Sequence, residues 1–450
     1  MNMLREGVWP RVIAIRRIWL GGMIAVFLAA GLMSLTLLPR AVLKAQGRGA
    51  LDPDPLLRDL VGVDQPIEAS YAQQLGIGWV RIDVSGYAMS PKPGQINWEQ
   101  TDRQIQQANA EGLKVLASLA YTPGWAETVK SLGKSPPTDP HVWTNFVEQG
   151  VSRYCAPPYN VRYFQIWNEP TQDAFFKGTN QQYVDVIYLP AAQIIRQHGC
   201  KVVFGGWTAA HSVQELDSVL NYRDAWKWTD IVDLHYHPMP DLQYVYSKWV
   251  AQGPCEGMWQ SEFGGIARPG ALSNYYSHFL YWTLQTGWRN PEEFKLFWYA
   301  ASAYGADGDR HLIRRDPGGE HLSDPGQHLL ALNQALGQGP LSAFTQFSTS
   351  PPVPTGALDG QALGYRVGSG RVVINLLLPR GFVQSHPSIS ISAMTEEPRS
   401  VRLTTALGKN LDLPSPRYGG GRVQVTVPLH NGFDDCPGCA SVQGYLVLDQ

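Results

Sequence analysis

Tyr163-Phe164-Gln165-Ile166-Trp167-Asn168-Glu169-Pro170 is an apolar run that closes on a carboxylate and a proline. Its aromatic and branched side chains predict a buried strand, and the proline stops it just past Glu169. Seven other runs share this grammar: Leu60–Asp64, Trp79–Val84, Lys114–Tyr121, Val202–Trp207, Ile231–His237, Gly257–Phe263 and Phe294–Ala300. Segments with helical spacing fall between them, including Trp98–Glu111, Asp139–Tyr154, Gln181–His198 and Leu272–Gly287, with a last one at Pro325–Leu336. Eight strand–helix repeats from Gly62 to Gly337 predict an α/β fold of the (β/α)8 TIM-barrel kind, which needs roughly 250 residues. A doubly wound sheet would carry a Gly-rich phosphate loop after its first strand, and Gly62-Val63-Asp64-Gln65-Pro66 is not one.

Outward from the barrel the pattern changes on both sides. Leu363–Val367, Arg371–Leu378, Ser388–Ala393, Ser400–Thr405, Arg422–Pro428 and Gly444–Leu448 alternate polar and apolar residues between Gly, Pro, Asn and Asp, which predicts a C-terminal antiparallel β-sandwich. On the amino-terminal side, Ile18 to Leu38 carries no charge. As a helix at ~1.5 Å per residue it reaches the ~30 Å of a bilayer core. Arg5, Arg11, Arg16 and Arg17 precede it and orient the rest of the chain outward, although Arg40, Lys44 and Arg48 weaken the asymmetry. The predicted organisation is a cytoplasmic amino terminus (1–17), a transmembrane signal-anchor (18–38), a linker (39–59), a catalytic barrel (60–338) and a sandwich (339–450). Secretion after signal cleavage is the competing reading, disfavoured by the length of the apolar run and by the poor small-x-small site at Leu43-Lys44-Ala45.

Composition narrows the function. The 450 residues include 14 Phe, 15 Trp and 20 Tyr, and 44% are hydrophobic, so the chain packs rather than remaining disordered. Its 36 basic and 38 acidic residues leave a net charge of −2, which gives nucleic acid no electrostatic handle. Five cysteines, Cys155, Cys200, Cys255, Cys436 and Cys439, are too few for a disulfide scaffold, and an odd number leaves at least one unpaired. Cys436-Pro437-Gly438-Cys439 has the spacing of a redox or half-zinc motif but lacks a second C-x-x-C, so a local disulfide is expected.

Catalytic groups of a (β/α)8 barrel sit at the carboxyl ends of its strands. The fourth run ends at Glu169, and the seventh runs through Met258-Trp259-Gln260-Ser261-Glu262-Phe263-Gly264-Gly265. Two carboxylates in aromatic frames suit glycoside cleavage, in which one protonates the leaving oxygen and the other attacks or activates water. Two other chemistries compete. His235 and His237 could bind a metal with His211 or Asp233, but other strand ends offer Asn, Glu and Trp rather than further ligands. Ser-His-Asp hydrolysis lacks its Gly-x-Ser-x-Gly elbow.

Trp167-Asn168-Glu169-Pro170 and Ser261-Glu262-Phe263-Gly264 together resemble the two signatures of the clan A retaining glycoside hydrolases. Ile96-Asn97-Trp98 through Asp102, and Gly112 through Ala126, are similar to the second and third strand units of the family 39 and family 5 branches. The resemblance implies a retaining enzyme acting on O-glycosidic bonds of a β-linked poly- or oligosaccharide, without metal or other cofactor. It makes Glu169 the acid/base, Glu262 the nucleophile, Asn168 the partner of the sugar 2-hydroxyl, Arg81 the cation holding the nucleophile ionised, and Trp298 the aromatic floor of the cleaved subsite. In the sixth run the family pattern His-x-Tyr is replaced by His235-Tyr236-His237-Pro238, leaving Tyr236 and His237 as alternative partners of the nucleophile. Asp64, Tyr121, Trp125, Trp207 and His235 are further sugar-binding candidates. A membrane-tethered glycan-binding protein on an inactive barrel is the non-enzymatic alternative.

Overall fold

The computed structural model describes residues 54–450 apart from 172, 265–269, 355–359, 431 and 440. The expected amino terminus, anchor and most of the linker lie outside the described residues, as does Gly265. No helix among the described residues is long and apolar enough to cross a membrane.

The barrel is built from β1 (Val61–Asp64), β2 (Trp79–Ser85), β3 (Lys114–Ala120), β4 (Tyr163–Ile166), β5 (Lys201–Val203), β6 (Trp207–Thr208), β7 (Ile231–His235), β8 (Gly257–Gly264) and β9 (Phe294–Tyr299). All pair in parallel, and β9 returns to β1. β5 and β6 are two pieces of one stave, since both pair with β7, at Val203↔Ile231 and at Trp207↔Leu234. All eight sequence runs are therefore staves of one closed barrel. Parallel strands buried on both faces have little need of polar alternation, which is why they read as continuous apolar runs.

The helices follow the expected spacing. Glu99–Ala110 places acidic Glu99 and Asp102 in its first turn, and Pro140–Cys155 is capped by Asp139, whose carboxylate accepts from the His141 amide. The segment expected as one helix over Gln181–His198 is three pieces: Asn180–Gln182, a π-helical turn Tyr183–Tyr188 and Leu189–Gln197. Helices Ala69–Leu75, Val213–Asn221 and Met239–Val245 complete the ring together with Ala271–Thr286 and Asp324–Leu336. A small sheet of Ser302–Tyr304, Ile313–Asp316 and Gly319–Leu322 lies between β9 and the last helix.

Two apolar layers hold the barrel. Trp79, Leu116, Tyr163, Val203, Ile231, Trp259 and Phe297 fill its interior, while a larger layer joins the outer strand faces to the helices. The sandwich has a six-stranded and a four-stranded sheet, and all six expected strands lie in it. Tyr365, Val373, Tyr445 and Val447 of the six-stranded sheet belong to the same buried layer as the barrel helices. The Tyr365 hydroxyl donates to the Ser277 carbonyl at 2.8 Å and the Asn375 amide to Ser277 Oγ at 2.7 Å, so polar contacts fix the seam that apolar burial closes. Cys155 pairs with Cys200 and Cys436 with Cys439, leaving Cys255 buried and unpaired.

Candidate active site

The backbone departs from regular geometry at the carboxyl ends of several staves. Tyr121 after β3, Trp167 and Glu169 after β4, and Tyr236 after β7 all have positive φ, at 66°, 72°, 45° and 60°. Such non-glycine conformations cost on the order of 1–3 kcal/mol each and persist where the surroundings impose them. Here the barrel wall does so. The Trp167 amide donates to the Leu119 carbonyl at 2.7 Å, that of Glu169 to Gly205 at 3.0 Å and that of Tyr236 to Glu262 at 3.0 Å. The register of β8 slips against both neighbours around Ser261 and Glu262, a bulge that re-aims the Glu262 side chain.

The result brings Glu169 and Glu262 together around His235. The three residues present ligand-type atoms that all lie within 4.8 Å of one another. Glu262 is tightly held: Arg81 Nη1 donates to Oε2 at 2.9 Å and the Tyr236 hydroxyl to Oε1 at 2.5 Å. Burial works to raise the Glu262 carboxyl, but the cations of His235 and Arg81 and the Tyr236 hydroxyl outweigh it and hold the group below the usual carboxylate range. Arg81 also donates to Asn168 Oδ1 at 2.5 Å and pairs with Asp64 at 3.4 Å, so one guanidinium orients three side chains from three staves. Burial pushes the Asp64 carboxyl up to about 7 against the pull of Arg81, assisted by repulsion from Asp83 and Glu262.

Glu169 has a different environment. Its Oε1 meets His235 Nδ1 at 3.1 Å, and among the described residues it has no cation as close as Arg81 is to Glu262. Burial would lower the His235 imidazolium, yet the charge of Glu262 first, then Asp233 and Glu169, lift it to about 9. The charged ring donates Nδ1–H to Glu169 and Nε2–H to Ser261 Oγ at 3.0 Å, while Ser261 Oγ donates on to Asp233 at 2.6 Å. Gly206 makes room for this ring: with φ +66° and no side chain, it lies where a Cβ would come within 2.4 Å of His235 Nε2. A cation could use the Glu169–His235–Glu262 spacing, but Arg81 and Tyr236 already occupy the Glu262 oxygens, so the donor set suits two carboxylates working on an organic substrate.

A cavity of about 560 Å³ opens beside Glu262, lined by Asp64, Arg81, Asp83, Tyr121, Asn168 and Tyr299 among others. Its size suits a small organic ligand. The alternative between Tyr236 and His237 is resolved by geometry. Tyr236 reaches Glu262, whereas His237 Nδ1 turns to Asp241 at 2.8 Å and its amide donates to Gln260 Oε1. β7 ends at His235 and the positive φ of Tyr236 breaks the alternation, so His235 and His237 do not share a face. His211 pairs instead with Glu215 at 3.4 Å, which takes it out of any shared metal set.

Three expected sugar-binding aromatics lie elsewhere. Trp298 is fully buried, its Nε1–H donating to the Arg310 carbonyl and its ring packed near Tyr276 in the helix layer. Alternation along β9 explains this: Phe297 and Tyr299 point inward, Trp298 outward, and Tyr299 is the aromatic that lines the cavity. Trp207 is likewise buried, donating to the Ser212 carbonyl and packed near Phe204. Trp125 is exposed at 37% and donates to the Ser90 carbonyl, but is not among the residues lining this cavity. Asp83 and Tyr299 are cavity residues that the sequence reading missed. Each lies two positions along its strand from a residue already facing inward, Arg81 and Phe297, a parity that a strict period-2 reading exposes.

No protein-family profile matches the chain, and no curated protein sequence does. Solved structures do. A family 39 glycoside hydrolase from the gut symbiont Bacteroides cellulosilyticus WH2 superposes with a TM-score of 0.59 at 13% identity, over 89% of this chain and 82% of that one. A monomeric β-xylosidase from Caulobacter crescentus CB15 gives 0.58 at 15%, over 89% and 97%. The catalytic domain of a GH30 xylanase C from Talaromyces cellulolyticus gives 0.55 at 11%, over 86% and 96%. The whole arrangement of barrel and appended sandwich is thus a fold shared with glycoside hydrolases of families 39 and 30.

Proposed function

We propose that the protein is a retaining glycoside hydrolase that cleaves β-linked O-glycosides by double displacement, with Glu262 as nucleophile and Glu169 as acid/base. One observation carries the proposal: an oxygen of each carboxylate lies within 4.8 Å of the other, in unequal electrostatic surroundings. Carboxylates separated by ~5–5.5 Å serve retention, whereas inversion needs ~6.5–9.5 Å to admit a water. In the first step a Glu262 oxygen attacks the anomeric carbon while Glu169 donates its proton to the departing oxygen. In the second, Glu169 takes a proton from water, which displaces Glu262 from the sugar. Arg81 and Tyr236 keep the nucleophile ionised, and Asn168, fixed by Arg81, faces the site from the stave that carries Glu169. His235 holds a proton beside Glu169 and fixes its side chain.

The names of two structural neighbours make β-xylosides and xylan the first substrates to try. We further propose that residues 18–38 anchor the enzyme with its catalytic unit outside the cytoplasm. The uncharged run itself supports this, as do two disulfides, which persist in oxidising compartments. The test of the mechanism is Glu262→Ala assayed on an aryl β-glycoside with a good leaving group. Turnover is expected to vanish and to return in part with azide, which takes the place of the missing carboxylate and yields the β-glycosyl azide's inverted counterpart, the α-azide. Wild-type turnover in this variant would refute the assignment.

A further inference from the structure

The C-x-x-C motif, which plays no part in the glycosidase proposal, does not stand alone in space. Cys436 and Cys439 lie in a loop of the sandwich, in a turn closed by the Cys439 amide donating to the Cys436 carbonyl at 2.9 Å. This turn puts both sulfurs on one side, where they meet His328 of the barrel helix Asp324–Leu336. His328 Nε2 is 3.8 Å from Cys439 Sγ and 3.5 Å from Asp324 Oδ1, and ligand-type atoms of His328, Cys436 and Cys439 all lie within 4.8 Å of one another. The other ring nitrogen, Nδ1, is engaged by Ser273 Oγ at 3.1 Å, which leaves Nε2 facing the sulfurs. His328 is fully buried and both cysteines nearly so.

The two distances from His328 Nε2, to Cys439 Sγ and to Asp324 Oδ1, match a known coordination geometry, and the two sulfurs, bonded to each other here, part to that spacing once reduced. Four ligands at Zn–S ≈ 2.3 Å, Zn–N ≈ 2.0–2.1 Å and Zn–O ≈ 2.0–2.2 Å in a tetrahedron stand about 3.3 to 3.8 Å apart. We propose that Cys436, Cys439, His328 and Asp324 form a zinc site that staples the sandwich to the barrel when the Cys436–Cys439 disulfide is reduced. A dithiol reductant breaks the S–S bond by exchange. The two electrons end on Cys436 and Cys439 as thiols, and the reductant leaves as its own disulfide. Zinc then binds the two sulfurs as thiolates and releases their two protons to solvent.

The surroundings are built for it. With Nε2 on the metal, Nδ1–H donates to Ser273 Oγ, whose own proton goes to the Gly270 carbonyl, the outer-partner arrangement usual for a metal-binding histidine. The Gly270 amide donates to Asp324 Oδ2 at 3.1 Å and orients this carboxylate, leaving Oδ1 toward His328. Arg380 donates to the carbonyls of Cys436 and Cys439 and fixes the turn. Gly270 closes the site on its remaining side: with φ +72°, a Cβ there would fall 2.4 Å from Cys439 Sγ. Gly270 is the N-cap of the helix Ala271–Thr286.

The test uses the full chain in detergent, reduced with a phosphine and titrated with Co2+ as a coloured substitute for zinc. Thiolate-to-cobalt charge-transfer and tetrahedral ligand-field bands are expected to saturate at one equivalent in the reduced protein and to be absent in the oxidised one. They should persist in Cys155→Ser/Cys200→Ser and disappear in Cys436→Ser/Cys439→Ser. Loss of an outer partner alone weakens metal sites roughly 10- to 100-fold, so His328→Ala should weaken binding by at least about tenfold. Asp324→Asn provides a near-isosteric second variant if His328→Ala does not fold. Absence of these bands in the reduced wild type, or undiminished binding in the folded ligand variants, would overturn the proposal. Neither readout depends on glycosidase activity.

Discussion

Replacing Tyr236 by Phe removes one hydroxyl and leaves the rest of the site in place. That hydroxyl donates to Glu262 Oε1 at 2.5 Å, within the short range typical of O–H···O⁻ bonds. Hydrogen bonds to charged groups contribute about 1.5–3 kcal/mol, and one pH unit corresponds to about 1.36 kcal/mol, so the Glu262 carboxyl should rise by about 1 to 2 units. The sign follows from the direction of its present displacement. Glu262 is held below the ordinary carboxylate range, so its ionised form persists above its folded pKa and is lost as pH falls through it. Raising that pKa moves the acid limb of kcat/KM upward by the same amount and does not shift the alkaline limb upward. The assay is kcat/KM against pH on an activated aryl β-glycoside, with His237→Asn as control, because His237 turns to Asp241 instead of Glu262. An acid limb that stays in place in Tyr236→Phe, or that moves equally in the control, would refute the assignment of Tyr236 as the residue that keeps the nucleophile ionised.

Three further outcomes are expected. Tyr299→Ala should raise KM with the fold intact, because Tyr299 lines the cavity, whereas Trp298→Ala should cost about 3–5 kcal/mol of stability through the cavity it leaves in the helix layer; thermal melts alongside kinetics separate the two. Deleting residues 1–45 should release soluble enzyme with unchanged kcat/KM, which fractionation and assay will check; loss of activity on release would contradict the separation of anchor from catalytic unit.

The parts of this molecule legible in its sequence are those in which local pattern and global role coincide. A parallel stave buried on both faces is apolar over much of its length, and the functional groups of such a barrel stand at its carboxyl end, so Glu169 and Glu262, proposed as the catalytic pair, could be located from runs and their endings. Contacts between distant segments left no such trace. The His235–Glu169 hydrogen bond, the Cys155–Cys200 pairing and the approach of His328 to the C-x-x-C loop join segments that only the folded chain brings together. The choice between Tyr236 and His237 turned on a positive φ that breaks the strand, which no side-chain pattern announces. Trp298 is a different case: resemblance alone makes it the aromatic floor, while the alternation of Lys295, Phe297 and Tyr299 along one face of β9 points to the residue beside it. The π-helical turn Tyr183–Tyr188 has the sequence signature of ordinary helix because one inserted residue scarcely alters apolar spacing.

The most direct measurement is to trap the intermediate. An activated 2-deoxy-2-fluoro β-glycoside slows the second step more than the first, so incubation with the wild-type enzyme should add one glycosyl unit per chain, seen by intact-protein mass spectrometry and mapped by peptide sequencing to Glu262. A label on a different residue, or steady hydrolysis of a good substrate with inversion and no labelled protein, would contradict the double-displacement account.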